Sequence, residues 1–101
     1  MTQAIAEKDV RRHPRQRSDD KVRLVWQNTS GQTQWLSGAC LDISQSGMRV
    51  ELTARIPARQ VVNFELLRNE FRGTAVVRCC QPAGLRFHIG LEFTGGQKWK
   101  A

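Results

Sequence analysis

No apolar run in these 101 residues approaches the ~18 that a membrane-spanning helix requires. The opening MTQAIAEKDV has no apolar core of the kind a secretory leader carries, and it includes Glu7, Lys8 and Asp9, so a cytoplasmic protein is expected. Cysteine is sparse and odd in number, and two of the three residues, Cys79 and Cys80, are adjacent. Adjacent cysteines bridge each other only with strain, and a stapled secreted domain of this size would hold more of them. No Cys-x-x-Cys or His-x-x-x-His spacing exists, so no metal site is assigned. Cys40, Cys79 and Cys80 are expected as small strand residues, one of them with an exposed thiol. Also missing are a catalytic triad spacing and a phosphate-cradling glycine loop. The two histidines, His13 and His88, show no evident acid partner in the sequence. No catalytic residue is assigned, and an enzyme is the least favoured class.

What remains is an ordinary folded composition, 40% hydrophobic and 25% charged, with length for one modest core. The formal net charge is +7, which favours an anionic partner. Its distribution narrows the choice. RRHPRQR, residues 11–17, sets four arginines in seven positions with no acid among them, whereas most later arginines are scattered singly. A diffuse basic face would suit nucleic acid; a short arginine cluster on an arm suits a compact ligand.

No 3.6-residue period persists for three turns, but period two recurs down the chain. Val22, Leu24 and Trp26 alternate with polar neighbours. QTQWLSGACLDIS forms a long second strand, with Gly38 a candidate bulge or bend. Beyond the QSG turn, Met48, Val50 and Leu52 alternate with Arg49, Glu51 and Thr53. ARIPAR is a connection, because Pro57 is too costly within a central strand. Val62, Phe64 and Leu66 share a face in QVVNFELLR, and FRGTAVVRCC follows the Asn69–Glu70 turn. The last strand is expected to alternate Leu85, Phe87, Ile89, Leu91 and Phe93 against Arg86, His88, Gly90, Glu92 and Thr94. Six strands with short turns predict an all-β sandwich or barrel. The barrel is preferred because closure removes exposed edges. The expected layout is a disordered tail (1–10), an arginine-rich arm (11–20), a barrel (21–95) and a C-terminal tail (96–101), with little or no helix.

Parity along the second strand bears on function. With Ala39, Leu41 and Ile43 in the core, Cys40, Asp42 and Ser44 face outward, and so do Arg49 and Glu51 after the turn. Gly47 then has two candidate reasons to be glycine: a positive φ, or close approach of a ligand to the backbone. Asp, Ser and Gly are also common turn residues in their own right, and arginine clusters are often simply solvated.

Arg11 and Arg15 in RRHPR, followed by Asp42, Ser44 and Gly47 in DISQSG, make an RxxxR…[DN]xSxxG pattern that resembles the PilZ domain family, receptors for cyclic di-GMP. The closing HIGLEF resembles that family's last strand. The resemblance runs over about residues 11–94. It implies a six-stranded antiparallel Greek-key (split) β-barrel, with Arg11, Arg15, Asp42, Ser44 and Gly47 at the ligand. Arg12, Arg49 and Arg78 are secondary candidates, Arg78 lying where relatives often carry a residue that stacks on a base. The implied ligand is one cyclic di-GMP molecule or an intercalated pair. A downstream protein partner or fused domain, and no further cofactor, complete the expectation.

The chemistry is consistent with this. A guanidinium forks onto guanine O6 and N7 or onto phosphate oxygens. In an extended arm Arg11 and Arg15 can stand up to ~13 Å apart and serve different groups. A carboxylate suits the N1–H and N2–H₂ donors of guanine, an edge that adenine does not present. The arm, polar and self-repelling, is expected to be mobile until ligand bridges it to the barrel. The rivals are a ligand-independent PilZ-like adaptor and a small-barrel nucleic-acid binder. The latter is disfavoured because Trp26, Phe64, Phe71, Phe87 and Phe93 fall on core positions, leaving only Trp35 and Trp99 unplaced for base stacking.

Overall fold

A computed structural model of the protein describes residues 14–95. The tails expected at 1–10 and 96–101, and with them Arg11, Arg12, His13 and Trp99, lie outside the described residues. Seven strands occur in chain order: β1 (Gln16–Arg17), β2 (Lys21–Gln27), β3 (Thr33–Ile43), β4 (Gly47–Leu52), β5 (Val61–Leu66), β6 (Phe71–Ala83) and β7 (Arg86–Phe93). All neighbours are antiparallel, in the order β3-β2-β5-β6-β7-β4, and β4 pairs back onto β3 to close a six-stranded barrel. No described residue is helical.

One extra strand, β1, lies within the span of the expected arm. Gln16 pairs with Ile43 and Arg17 with Asp42, in line with β2 along the same edge of β3. The end of the arm is thus part of the sheet. Asp20 fastens the junction. Its carboxylate, buried at 2% exposure, accepts hydrogen bonds from the Lys21, Arg68 and Asn69 backbone N–H groups and from Asn69 Nδ2. Burial pushes this carboxyl's pKa up, but the four donors together outweigh it and leave the pKa below its ordinary value.

Alternation builds the core where it was expected. Val22, Leu24 and Trp26 of β2, Met48, Val50 and Leu52 of β4, Val62, Phe64 and Leu66 of β5, and Ile89 and Leu91 of β7 are buried. Phe64, Phe71 and Phe93 meet with ring centroids 5.1–5.6 Å apart. Such offset and edge contacts add to plain apolar burial.

Three expectations need correcting. Leu85 does not continue β7 inward but is 96% exposed, because Gly84 and Leu85 are the two-residue hairpin turn between Ala83 and Arg86. Gly84 has φ +67°, as a two-residue hairpin with glycine at its first turn position requires. Gly38 is not a bulge, since β2–β3 pairing runs through it without a break. A Cβ there would lie 2.2 Å from the Glu51 carbonyl oxygen, so the approach of β4 explains the glycine. His88 does have an acid partner: its Nε2 is 3.0 Å from Glu51 Oε2, directly across the β4–β7 ladder.

Candidate functional site

The third strand contains a β-bulge that inverts part of the expected parity. Cys40 pairs with Val50 and Asp42 with Arg49, so Leu41 and Asp42 together oppose one residue. A bulge of this kind inserts one residue and re-aims the side chains around it. Cys40 therefore enters the core at 1% exposure instead of facing out, Ile43 also faces in, and Asp42 is left beneath the outer surface. Burial pushes the Cys40 thiol pKa up, as suits an inert core cysteine.

A second bulge lies on β6. Val77 pairs with Leu91 and Cys79 with Gly90, which leaves Arg78 as the inserted residue. Val77 is buried, whereas Arg78 and Cys79 both face solvent. Cys80 then turns back to pack against the core. Cys79 is thus the exposed thiol expected among the three cysteines.

With both bulges in place, one lateral row of paired residues crosses five strands: Arg17, Asp42, Arg49, Gly90 and Cys79. Four interstrand gaps of ~4.8 Å make this row about 19 Å wide. Together with Arg15 these residues line an open groove of about 370 Å³. Gly90, lacking a side chain, lies between Arg49 and Cys79. A smaller hollow of about 250 Å³ adjoins the groove, sharing Arg15, Cys79 and Gly90 and adding Arg78 and Glu92.

Asp42 organises the charges. Arg15 Nη1 donates to its Oδ1 at 2.7 Å and Arg49 Nη2 reaches its Oδ2 at 2.8 Å. An ionised carboxylate offers about four acceptor positions, so each oxygen retains one for a ligand donor. Arg78 is paired with Glu92 across the β6–β7 ladder. Arg17 has no acid partner among the described residues. The lining of the two hollows thus carries four arginines against Asp42 and Glu92. That excess of positive charge suits an anionic ligand.

Ser44 and Gly47 shape the turn. Ser44 is 4% exposed, and its hydroxyl lies 3.3 Å from the Gly47 carbonyl, to which it donates. The Ser44 hydroxyl oxygen accepts the Ser46 N–H at 3.3 Å, while the Ser44 N–H donates to the Gly47 carbonyl at 2.8 Å. Gly47 does not have a positive φ. Its reason to be glycine is β7, since a Cβ would stand 2.2 Å from the Leu91 carbonyl oxygen.

The structure therefore brings together Arg15, Asp42 and Arg49, with Arg78 beside them and Ser44 and Gly47 beneath. Sequence reasoning overlooked Arg17, Cys79, Gly90 and Glu92 as groove residues. Only the register of five strands aligns the first three, although Arg17 belongs to the arginine cluster that the sequence displays. Asp20 was also missed; an acid directly before an alternating strand was its one signal. Among aromatics, Trp26 and Phe64 are buried, Phe71, Phe87 and Phe93 are half-buried, and Trp35 is 64% exposed. Among the described residues no group of three or more His, Cys, Asp or Glu could hold a metal, and no helix is long and apolar enough to cross a membrane.

Comparison with known proteins bears on the fold and the family. No curated protein matches the chain. The solved structure of the K. pneumonia MrkH–c-di-GMP complex is similar, with a TM-score of 0.63 and 16% sequence identity. The likeness covers 86% of this chain and 45% of that one, so the chain spans under half the length of that protein. At this identity the likeness speaks for the fold. The PilZ domain family model matches residues 9–98, nearly the whole sequence, and the chain belongs to the PilZ domain family.

Proposed function

We propose that the groove binds cyclic di-GMP and that the protein acts as a receptor module for this messenger in the cytoplasm. The observation that carries the reading is Asp42, held between Arg15 and Arg49 at the bottom of an arginine-lined groove. Membership of the PilZ family and the likeness to a PilZ fold solved with c-di-GMP support it. The free acceptor positions of Asp42 take the N1–H and N2–H₂ of one guanine. Arg15, Arg49 and Arg17 take phosphate oxygens or guanine O6 and N7, where a planar fork outperforms lysine. Ser44 and Gly47 serve by holding the turn, since the Ser44 hydroxyl is already engaged and the Gly47 face lies against β7.

The proposed switch is narrower than the ordering of a whole arm. Gln16 and Arg17 pair with β3, and Arg15 bonds Asp42. Ligand adds contacts from Arg11 and Arg12, and re-aims whatever precedes or follows the domain toward a downstream partner. Backbone NMR shifts test this directly. Adding cyclic di-GMP is expected to move residues 11–17 and 42–49 together, and Arg15→Ala to cost roughly 2–5 kcal/mol of affinity, the range for a half-broken desolvated charge contact. Unmoved shifts in both segments would refute the reading. Single-stranded DNA competing equally at physiological salt would replace it with the nucleic-acid alternative.

A further inference from the structure

In the smaller hollow beside the main groove, a lining cation, Arg78, is paired with a lining anion, Glu92. Glu92 pairs across the sheet with Gly47 on one side and Val76 on the other, which places it two residues along β7 from Gly90 and the Asp42 row. Its carboxylate engages Nε of Arg78, the residue that the β6 bulge pushes outward. Both side chains are about half exposed, so their pair is solvated and readily exchanged. Glu92 is the one acid among the residues lining this hollow, and Arg15 lines both it and the main groove.

A carboxylate on a guanidinium occupies the same face that a phosphodiester oxygen or the O6/N7 edge of guanine would use. We infer that Glu92 is an affinity-setting residue: an internal anion that holds Arg78 in the free protein and must release it before Arg78 can bind the distal phosphate or guanine of the ligand. This rests on the proposed cyclic di-GMP function. The main groove presents Asp42 with three arginines and accepts the first half of a two-phosphate ligand. The hollow at Arg78 accepts the second half only by exchange with Glu92. Affinity is thereby lowered, and binding through the second half becomes sensitive to a single side chain remote from Asp42 in sequence.

Titration calorimetry with cyclic di-GMP on wild type, Glu92→Gln, Arg78→Ala and the double variant tests the inference. Glu92→Gln is expected to tighten binding by about threefold or more, the scale of one exposed pair plus one removed repulsion. In the Arg78→Ala background the same change is expected to have little effect, because no guanidinium remains to be released. Glu65→Gln removes the same charge on β5, where Glu65 faces Arg23 and not the groove, and is expected to leave affinity unchanged. Urea midpoints for all variants establish that each is folded. Equal tightening with and without Arg78, or no tightening at all while Arg15→Ala still weakens binding, overturns the role of Glu92 and leaves the receptor reading intact. Failure of every variant and the wild type to bind overturns the receptor reading itself.

Discussion

Replacing Asp42 with alanine sets two electrostatic effects of opposite sign against each other. The carboxylate is neutralised twice over, by Arg15 at 2.7 Å and Arg49 at 2.8 Å, so its loss releases positive charge toward an anionic ligand. For a phosphate about 7 Å away at an effective dielectric near 40, that release is worth about 1 kcal/mol in favour of binding. Against it stands the loss of two charge-assisted hydrogen bonds to guanine N1–H and N2–H₂, together about 3 kcal/mol after water partly replaces them. Guanine recognition wins by about 2 kcal/mol, an affinity loss of roughly thirtyfold for cyclic di-GMP. Cyclic di-AMP presents no such donor pair, so it experiences only the first effect and should bind Asp42→Ala about fivefold more tightly than wild type. Titration calorimetry with both dinucleotides reads the two effects separately. The fold should survive, since Arg15 and Arg49 are one-third and one-half exposed and their pairs contribute at most about 1 kcal/mol each after screening. Asp42→Ala binding cyclic di-GMP as well as wild type, or retaining full discrimination between the dinucleotides, would refute the assignment of Asp42 to the guanine edge.

Gly47→Ala should destabilise the protein by more than about 2 kcal/mol in urea unfolding, because the new Cβ meets the Leu91 carbonyl oxygen at 2.2 Å and neither backbone can yield cheaply; an unchanged midpoint would contradict this. Asp20 has a lowered carboxyl pKa in the fold, so its stabilisation is complete above its unfolded value of ~3.9 and fades as the pH falls through the lower folded value. Asp20→Asn should therefore be less stable at neutral pH and should lose less stability than wild type on acidification through that window, as thermal melts at several pH values would reveal. Cys79, exposed in the groove, should be the thiol alkylated fastest by iodoacetamide and should be shielded by cyclic di-GMP, whereas Cys40 in the core should not react until unfolding; peptide mapping by mass spectrometry distinguishes them.

Much of the fold was legible because the information is local. Val22, Leu24 and Trp26, or Met48, Val50 and Leu52, alternate within one strand and face the core as period two requires. The arginine cluster and DISQSG are equally local, and in space Arg15 and Asp42 do meet. Leu85 was misplaced because alternation continues through a two-residue turn as smoothly as through a strand, and only the positive φ of Gly84 distinguishes the two.

The β-bulges were illegible for a different reason. Uniform alternation through Ala39, Leu41 and Ile43 sends Cys40 and Asp42 to the same face, yet Cys40 is in the core and Asp42 lines the outer groove. One inserted residue, Leu41, separates them, and it is an insertion only relative to Arg49 on the neighbouring strand. Arg78 is likewise inserted relative to Gly90, and that insertion turns Cys79 outward. A bulge is thus a property of two strands, not of one string of residues. The row from Arg17 to Cys79 exists only once both insertions and all four pairings are in register. A short motif can therefore name Asp42 from sequence while the arginine, glycine and thiol that complete its groove stay hidden until the barrel closes.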